Sequence, residues 1–311
     1  MRVLVIACFL VLTTLTAYAN TSIKIPLNHW GSQQVISIAI GNELSALGYQ
    51  IQYVPINSMH QSTALADGII HFQIELWQTA NYEEYNQLIK DNRITLLGKY
   101  NINGKEDWWY PLYVKELCPE LPDWKALKKC SSLFKDPDTG HVTYYTGLWN
   151  YRDADLIRSL DLPFTIKRYT KEEHLWNLLE TRVAAKQPII LLNWTPNWIE
   201  VKHEGEFVEF PEFSPECETN PKWGPNPKML FDCANNNISS VVKVMWPPLA
   251  SKHPCVFQLL KKLELTTEHI SQASLLYREN NNQPEVAAKL WKQQFIEDIK
   301  DWRNQACTNQ F

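Results

Sequence analysis

The stretch Ile23–Val54, IKIPLNHWGSQQVISIAIGNELSALGYQIQYV, decides the fold class. Ile23 to Leu27 alternates apolar and other residues as a strand does. Ser32 then stands at the cap of a helical pattern, Val35, Ile36, Ala39, Ile40, Leu44 and Leu47, that stops at Gly48. A second strand is expected at Ile51 to Val54, a short helix around Thr63 to Ala66 and a third strand at Ile69 to Leu76. Strand, helix, strand, helix, strand is the pattern of a parallel sheet covered by helices, so the chain opens as α/β. The alternation returns further on, with strands at His141 to Tyr145 and Pro188 to Leu192 and helices at Ala154 to Leu160 and Glu172 to Lys186. Val241, Val242 and Val244 mark a last strand before a polar, largely helical tail. Two α/β units, each a mostly parallel sheet flanked by helices, are too long together for one core. A cleft between them is the natural place for a ligand.

Composition narrows the ligand. The 311 residues are 45% hydrophobic and 21% charged, which excludes disordered and fibrous classes. Lys+Arg 30 against Asp+Glu 34 is too balanced for a nucleic-acid partner, which needs clustered basic charge to displace counterions. The unusual feature is 13 Trp against 10 Gly, because tryptophan in surplus serves either a core or a recognition surface. Residues 1–19 read as a signal peptide: Arg2, an apolar run from Val3 to Leu15, then the small-x-small site Ala17-Tyr18-Ala19. The expected product is a soluble protein of the periplasm that starts at Asn20. Cys8 follows a small residue as lipidation sites do, but it lies too early in the apolar run. The six cysteines after it allow 15 pairings, and close spacing favours Cys118 with Cys130 and Cys217 with Cys233, leaving Cys255 with Cys307.

The tryptophans are informative by position. Trp30, Trp77, Trp149 and Trp194 each come at or just after a strand, Trp149 by way of the Gly147 turn, where ligands collect in open α/β sheets. Converging indoles suit a cation without hydrogen-bond donors, such as a trimethylammonium head, drawn to the negative faces of the rings. At about 2 kcal/mol for each desolvated contact, four give roughly 8 kcal/mol before ordering costs, the scale of micromolar affinity. Trp108, Trp109 and Trp198 are candidates for support. Trp124, Trp176, Trp291 and Trp302 have helix-like or capping surroundings and are assigned to packing.

Leu192-Asn193-Trp194-Thr195-Pro196-Asn197-Trp198, after its apolar strand, resembles the W-T-P-x-W motif of the glycine betaine and choline class of ABC-transporter substrate-binding proteins. Glu75-Leu76-Trp77 and Gly147-Leu148-Trp149 are similar to the earlier and middle cage tryptophans of that class, in the same order and separation. The resemblance implies a two-lobed, type II periplasmic-binding-protein fold that closes on a small trimethylated amine and delivers it to an inner-membrane permease driven by its ATPase. It implies no catalysis and no cofactor, and a monomer. Lobe 1 is then residues 20–110 plus 238–311 and lobe 2 residues 111–237, with crossings near Pro111 and Ile238. Betaine-binding members place Gly-Cys after the middle tryptophan to hold the ligand carboxylate, whereas Asn150-Tyr151 stands here. Trp30 and the stretch Lys105-Glu106-Asp107-Trp108-Trp109-Tyr110-Pro111 look more like the trimethylamine-N-oxide branch, with four box tryptophans and an acidic side chain at the ligand's polar end. Glu106 or Asp107 would accept from a choline hydroxyl or a protonated N-oxide and repel a betaine carboxylate. The expected ligand is therefore trimethylamine N-oxide or choline ahead of betaine, with Asn150 and Tyr151 also near it.

Other chemistry finds little footing. A sugar receptor is the alternative, since indoles also stack on sugars, and a secreted α/β hydrolase lacks a nucleophile or acid/base pair with spacing support. Asp136-Pro137-Asp138-Thr139-Gly140 reads as a turn, lacking the bidentate Glu of a calcium loop. No phosphate-binding glycine loop, G-x-S-x-G elbow or H-E-x-x-H occurs.

Overall fold

The computed structural model describes residues 22–78, 82–149, 152–235 and 240–306; the expected signal peptide lies outside them. The opening stretch folds as its pattern dictates: β1 (Ile23–Leu27), α1 (Gly31–Ala46), β2 (Ile51–Pro55), α2 (Gln61–Ala66), β3 (Phe72–Trp77), α3 (Tyr82–Lys90) and β4 (Thr95–Lys99). β1 and β2 pair in parallel, Ile23 opposite Ile51. α1 buries Val35, Ile36, Ala39, Ile40 and Leu44, and the chain turns at Gly48, whose φ of +88° suits a residue without Cβ. Ser32 does not cap α1. Trp30 takes that place in extended backbone, and the Ser32 hydroxyl donates to Glu75 instead, because a buried carboxylate competes for it better than the helix amides do. β3 begins three residues later than expected, since Gly68 turns at φ +68° and leaves Ile69 exposed.

The chain then crosses to a second lobe made of β5 (Lys105–Pro111), α4 (Val114–Leu117), α5 (Ala126–Lys129), β6 (Thr143–Thr146), α6 (Asp153–Ser159), β7 (Thr165–Arg168), α7 (Glu172–Ala184), β8 (Leu191–Thr195), α8 (Ile199–Lys202), β9 (Gly205–Phe207) and α9 (Pro215–Thr219). One sheet of order β7-β6-β8-β5-β9 carries them. It corrects two expectations. β5 pairs with β8 and β9, so the first crossing lies before Lys105, not at Pro111. Nor is the sheet mostly parallel, since β5 runs antiparallel to both neighbours while β6–β7 and β6–β8 are parallel. β8 also starts later than Pro188, which places Trp194 inside the strand. Disulfides join Cys118 to Cys130 and Cys217 to Cys233, as spacing indicated; the pairing of Cys255 with Cys307 falls partly outside the described residues, as does Ile238.

The return strand β10 (Val241–Met245) inserts between β3 and β4, antiparallel to both. α10 (Leu249–Lys252), α11 (Pro254–Lys262), α12 (Thr267–Glu279), α13 (Pro284–Gln294) and α14 (Ile296–Ala306) then complete lobe 1. α1, α12 and α13 pack together, and one core unites Ile25, Ile36, Ile40, Val256, Leu260, Trp291 and Trp302. Lobe 2 has its own core around Trp108, Tyr144, Phe164 and Leu192. α12 bridges the lobes: buried Ser274 donates to Asn197 at 2.7 Å, Arg278 to Asn177 at 2.6 Å, and Lys202 pairs with Glu279 at 2.9 Å. Among the described residues no helix is long and apolar enough to cross a membrane.

Candidate ligand-binding site

Four strand ends deliver the expected tryptophans to one place. Trp30 leaves β1 at the start of α1, Trp77 ends β3, Trp149 follows β6, and Trp194 stands one residue from the end of β8. All four belong to a single apolar cluster, drawn from both lobes, that also contains Trp109, Tyr145, Trp176 and Trp198. Trp149 meets Trp194 edge to face, with centroids 5.1 Å apart and planes at 75°. Trp176 backs Trp194 at 5.4 Å and Trp198 backs Trp176 at 6.0 Å, so the assignment of Trp176 to packing holds, as a second layer behind the box. Trp30 and Trp194 are each 7% exposed, whereas Trp77 and Trp149 are partly buried, so the rings closest to solvent come from opposite lobes.

Carboxylates surround this cluster. Glu75 lies two residues before Trp77 on β3, hence on the same face of the strand, and is fully buried. Its Oε1 accepts from Trp30 Nε1 at 2.8 Å, Trp77 Nε1 at 3.0 Å and Ser32 Oγ at 2.8 Å, while no described group donates to Oε2. Burial pushes its carboxyl up to about 7 against the pull of those three donors. Glu172, at the start of α7, accepts from Trp176 Nε1 at 2.5 Å and, across the lobes, from the Gly31 amide at 3.2 Å. It too is raised to about 7 by burial. Gly31 is close to obligatory, because a Cβ there would lie 2.3 Å from the Tyr277 ring. Glu75 and Glu172 escaped the sequence reading. Their signals were period-2 spacing from Trp77 and the four-residue helical spacing between Glu172 and Trp176.

The expected acids separate. Glu106 stands directly opposite Trp194 in the β5–β8 pairing, so the two share a face at the cleft end of the sheet, and Glu106 is 4% exposed. Asp107 faces the other way, opposite Asn193, and its oxygens accept the amides of Trp108 at 2.8 Å and Asn235 at 3.3 Å. Burial raises its carboxyl to about 7, but its partners are backbone. Trp108 is not part of the box. It stacks on Tyr144 at 3.9 Å, donates to Asp153 at 2.9 Å and is fully buried in lobe 2, because β5 has both faces covered and Trp108 points into the sheet's own core. Asn150 and Tyr151 lie outside the described residues. The Asp136 turn is what it looked like: Oδ1 accepts the amides of Asp138 and Thr139, and Oδ2 is held by Lys167 at 2.9 Å.

A family model for the substrate-binding domain of ABC-type glycine betaine transport systems matches residues 21–294. The chain belongs to this family. One relative, the trimethylamine N-oxide-binding protein of Pelagibacter ubique, is 28% identical over 287 residues, covering 88% of each chain. The glycine betaine/L-proline-binding protein of Borrelia burgdorferi shares the fold at a TM-score of 0.68 and 15% identity, covering 91% of this chain and 96% of that one. An ABC-transporter choline-binding protein in complex with choline does so at 0.69 and 15%, over 92% and 93%. This glycine betaine-class binding protein therefore has the two-lobed, type II architecture, with its indoles gathered where the lobes meet.

Proposed function

We propose that the chain captures a small trimethylated amine in the periplasm and hands it to an ABC permease, performing no chemistry on it. The observation that carries this reading is the convergence of Trp30, Trp77, Trp149 and Trp194 from both lobes into one cluster. Electron-rich ring faces with few donors among them suit an onium group, which needs no hydrogen bond, better than a sugar, which needs many. Glu106, opposite Trp194, takes the polar end of the ligand. A carboxylate there disfavours betaine and accepts from a choline hydroxyl or a protonated N-oxide. The Pelagibacter relative supports trimethylamine N-oxide as the first ligand to try.

Calorimetry against trimethylamine N-oxide, choline, glycine betaine and glucose tests the assignment. Micromolar or tighter binding of an N-oxide or choline with none of glucose is the expected result, and glucose binding alone would overturn it. Trp77→Ala and Trp194→Ala should each abolish the ligand-induced change in tryptophan fluorescence while far-ultraviolet dichroism stays unchanged; wild-type affinity surviving in both removes the box from the mechanism.

A further inference from the structure

We propose that Glu75 supplies the negative charge of the box, and that the onium group of the ligand is the counter-charge that no described group gives this buried carboxylate. The inference rests on the function proposed above and names a residue outside the ring of aromatic contacts. Three other buried acids each feel a basic side chain: Asp107 has Lys105, Asp153 has Arg168 and Glu172 has Arg278. Among the described residues, the groups that act on Glu75 are the Trp77, Ser32 and Trp30 donors and none is basic. From α1 it faces Trp30 and Ser32, from its own strand Trp77, from lobe 2 the acidic Glu172, and beyond β4 the Tyr100 phenol. An uncompensated carboxylate inside a protein is costly, and a cation bound beside it offsets that cost.

The hydrogen bonds show how the charge reaches the ligand. Both box indoles of lobe 1 donate to the same oxygen, so one carboxylate sets the orientation of two rings, one at the start of α1 and one at the end of β3. An N–H that donates to an anion pushes electron density into its ring, which deepens the negative potential of the face a cation contacts. Glu75 therefore acts twice, by fixing Trp30 and Trp77 as a pair and by making their faces more attractive to a positive charge. A neutral group of the same shape would gain the packing and not the charge.

That difference is the test. Affinities of the full mature chain are measured for choline and trimethylamine N-oxide, each against its carbon isostere in which a tert-butyl carbon replaces the onium nitrogen. Wild type should prefer the charged member of each pair it binds. Glu75→Gln should lose most of that preference, roughly tenfold, with isostere binding changed by less than about twofold. Glu75→Asp, which keeps the charge, should retain the ratio even where both affinities fall. Raising the pH from 6 to 8 should strengthen onium binding to wild type as the Glu75 carboxyl, poised near 7, ionises, and should strengthen it less in Glu75→Gln, where only Glu172 of the pair still titrates. A Glu75→Gln variant that weakens charged and neutral ligands equally, or that keeps the preference, overturns the proposal; should that variant not fold, an Asp variant without the preference or a flat wild-type pH profile does so. Wild type that binds no trimethylated amine refutes the function itself and this inference with it.

Discussion

Trp108 and Trp194 belong to the same face of adjacent strands, two cross-strand steps apart, yet only one can meet a ligand. Trp108 is enclosed by Tyr144, Phe164 and Phe210, so Trp108→Ala should cost about 3–5 kcal/mol of stability in denaturant unfolding, mostly through the cavity it leaves. The acids on β5 divide by the same alternation. Glu106→Gln should weaken binding of choline or the N-oxide roughly tenfold and spare betaine, because it alone removes charge beside Trp194. Asp107→Asn should instead cost about 1 kcal/mol of stability and little affinity, since its oxygens serve backbone amides. Calorimetry beside thermal unfolding separates the two, and equal affinity losses would contradict the assignment. The convergence of Trp30, Trp77, Trp149 and Trp194 was legible because each stands at or just after a strand end. Glu75 was not: period-2 spacing ties it to Trp77, but nothing in the sequence points to Trp30, 45 residues away, which donates to the same oxygen.

At the scale of elements, β1, α1, β2 and the tail helices were readable because each presents a clear apolar period or a defined stop. β5 was missed for the opposite reason: from Glu106 to Pro111 every residue is buried, so no alternation survives to mark a strand. β4, a half-exposed strand with Gly98 in it, gave too weak a pattern. Strand direction was beyond the sequence as well, because β5 and β10 follow the two crossings and run antiparallel to strands contributed by distant segments. The disulfides were readable, and both described ones staple lobe 2 with loops of 12 and 16 residues. Removing either by paired Cys→Ser substitution should lower stability by about 3 kcal/mol in the chain-entropy picture. Ligand affinity should persist in the folded fraction, since the bridges lie away from the indole cluster; a selective loss of binding at unchanged stability would contradict that separation.

For the whole molecule, the buried acids make stability depend on pH in a defined direction. Glu75, Asp107 and Glu172 hold their protons up to about pH 7 in the folded chain, whereas the unfolded chain releases them in the ordinary carboxylate range. From the ordinary carboxylate range up to about pH 7 the folded state thus binds more protons than the unfolded one, so stability falls as pH rises through that window and levels off above it. His71, His253 and His269 are depressed by burial and act oppositely, but at slightly lower pH, where unfolded imidazoles still titrate. The ligand-free protein should therefore lose the last of this stability, on the order of 1 kcal/mol, between pH 7 and 8, read by denaturant titration, and an increase over that range would show that these carboxyls ionise freely. Two lobes and a cleft were foreseen from repeated α/β units; the direction of the sheets and the place of the first crossing were not, because both depend on long-range pairing. The bridge across the cleft, from Gly31 to Glu172, from Ser274 to Asn197 and from Lys202 to Glu279, is built wholly from the protein's own groups. On the function proposed above, a clasp that needs nothing from its cargo would hold the lobes together with or without a guest between them, so the empty protein should already populate the closed form.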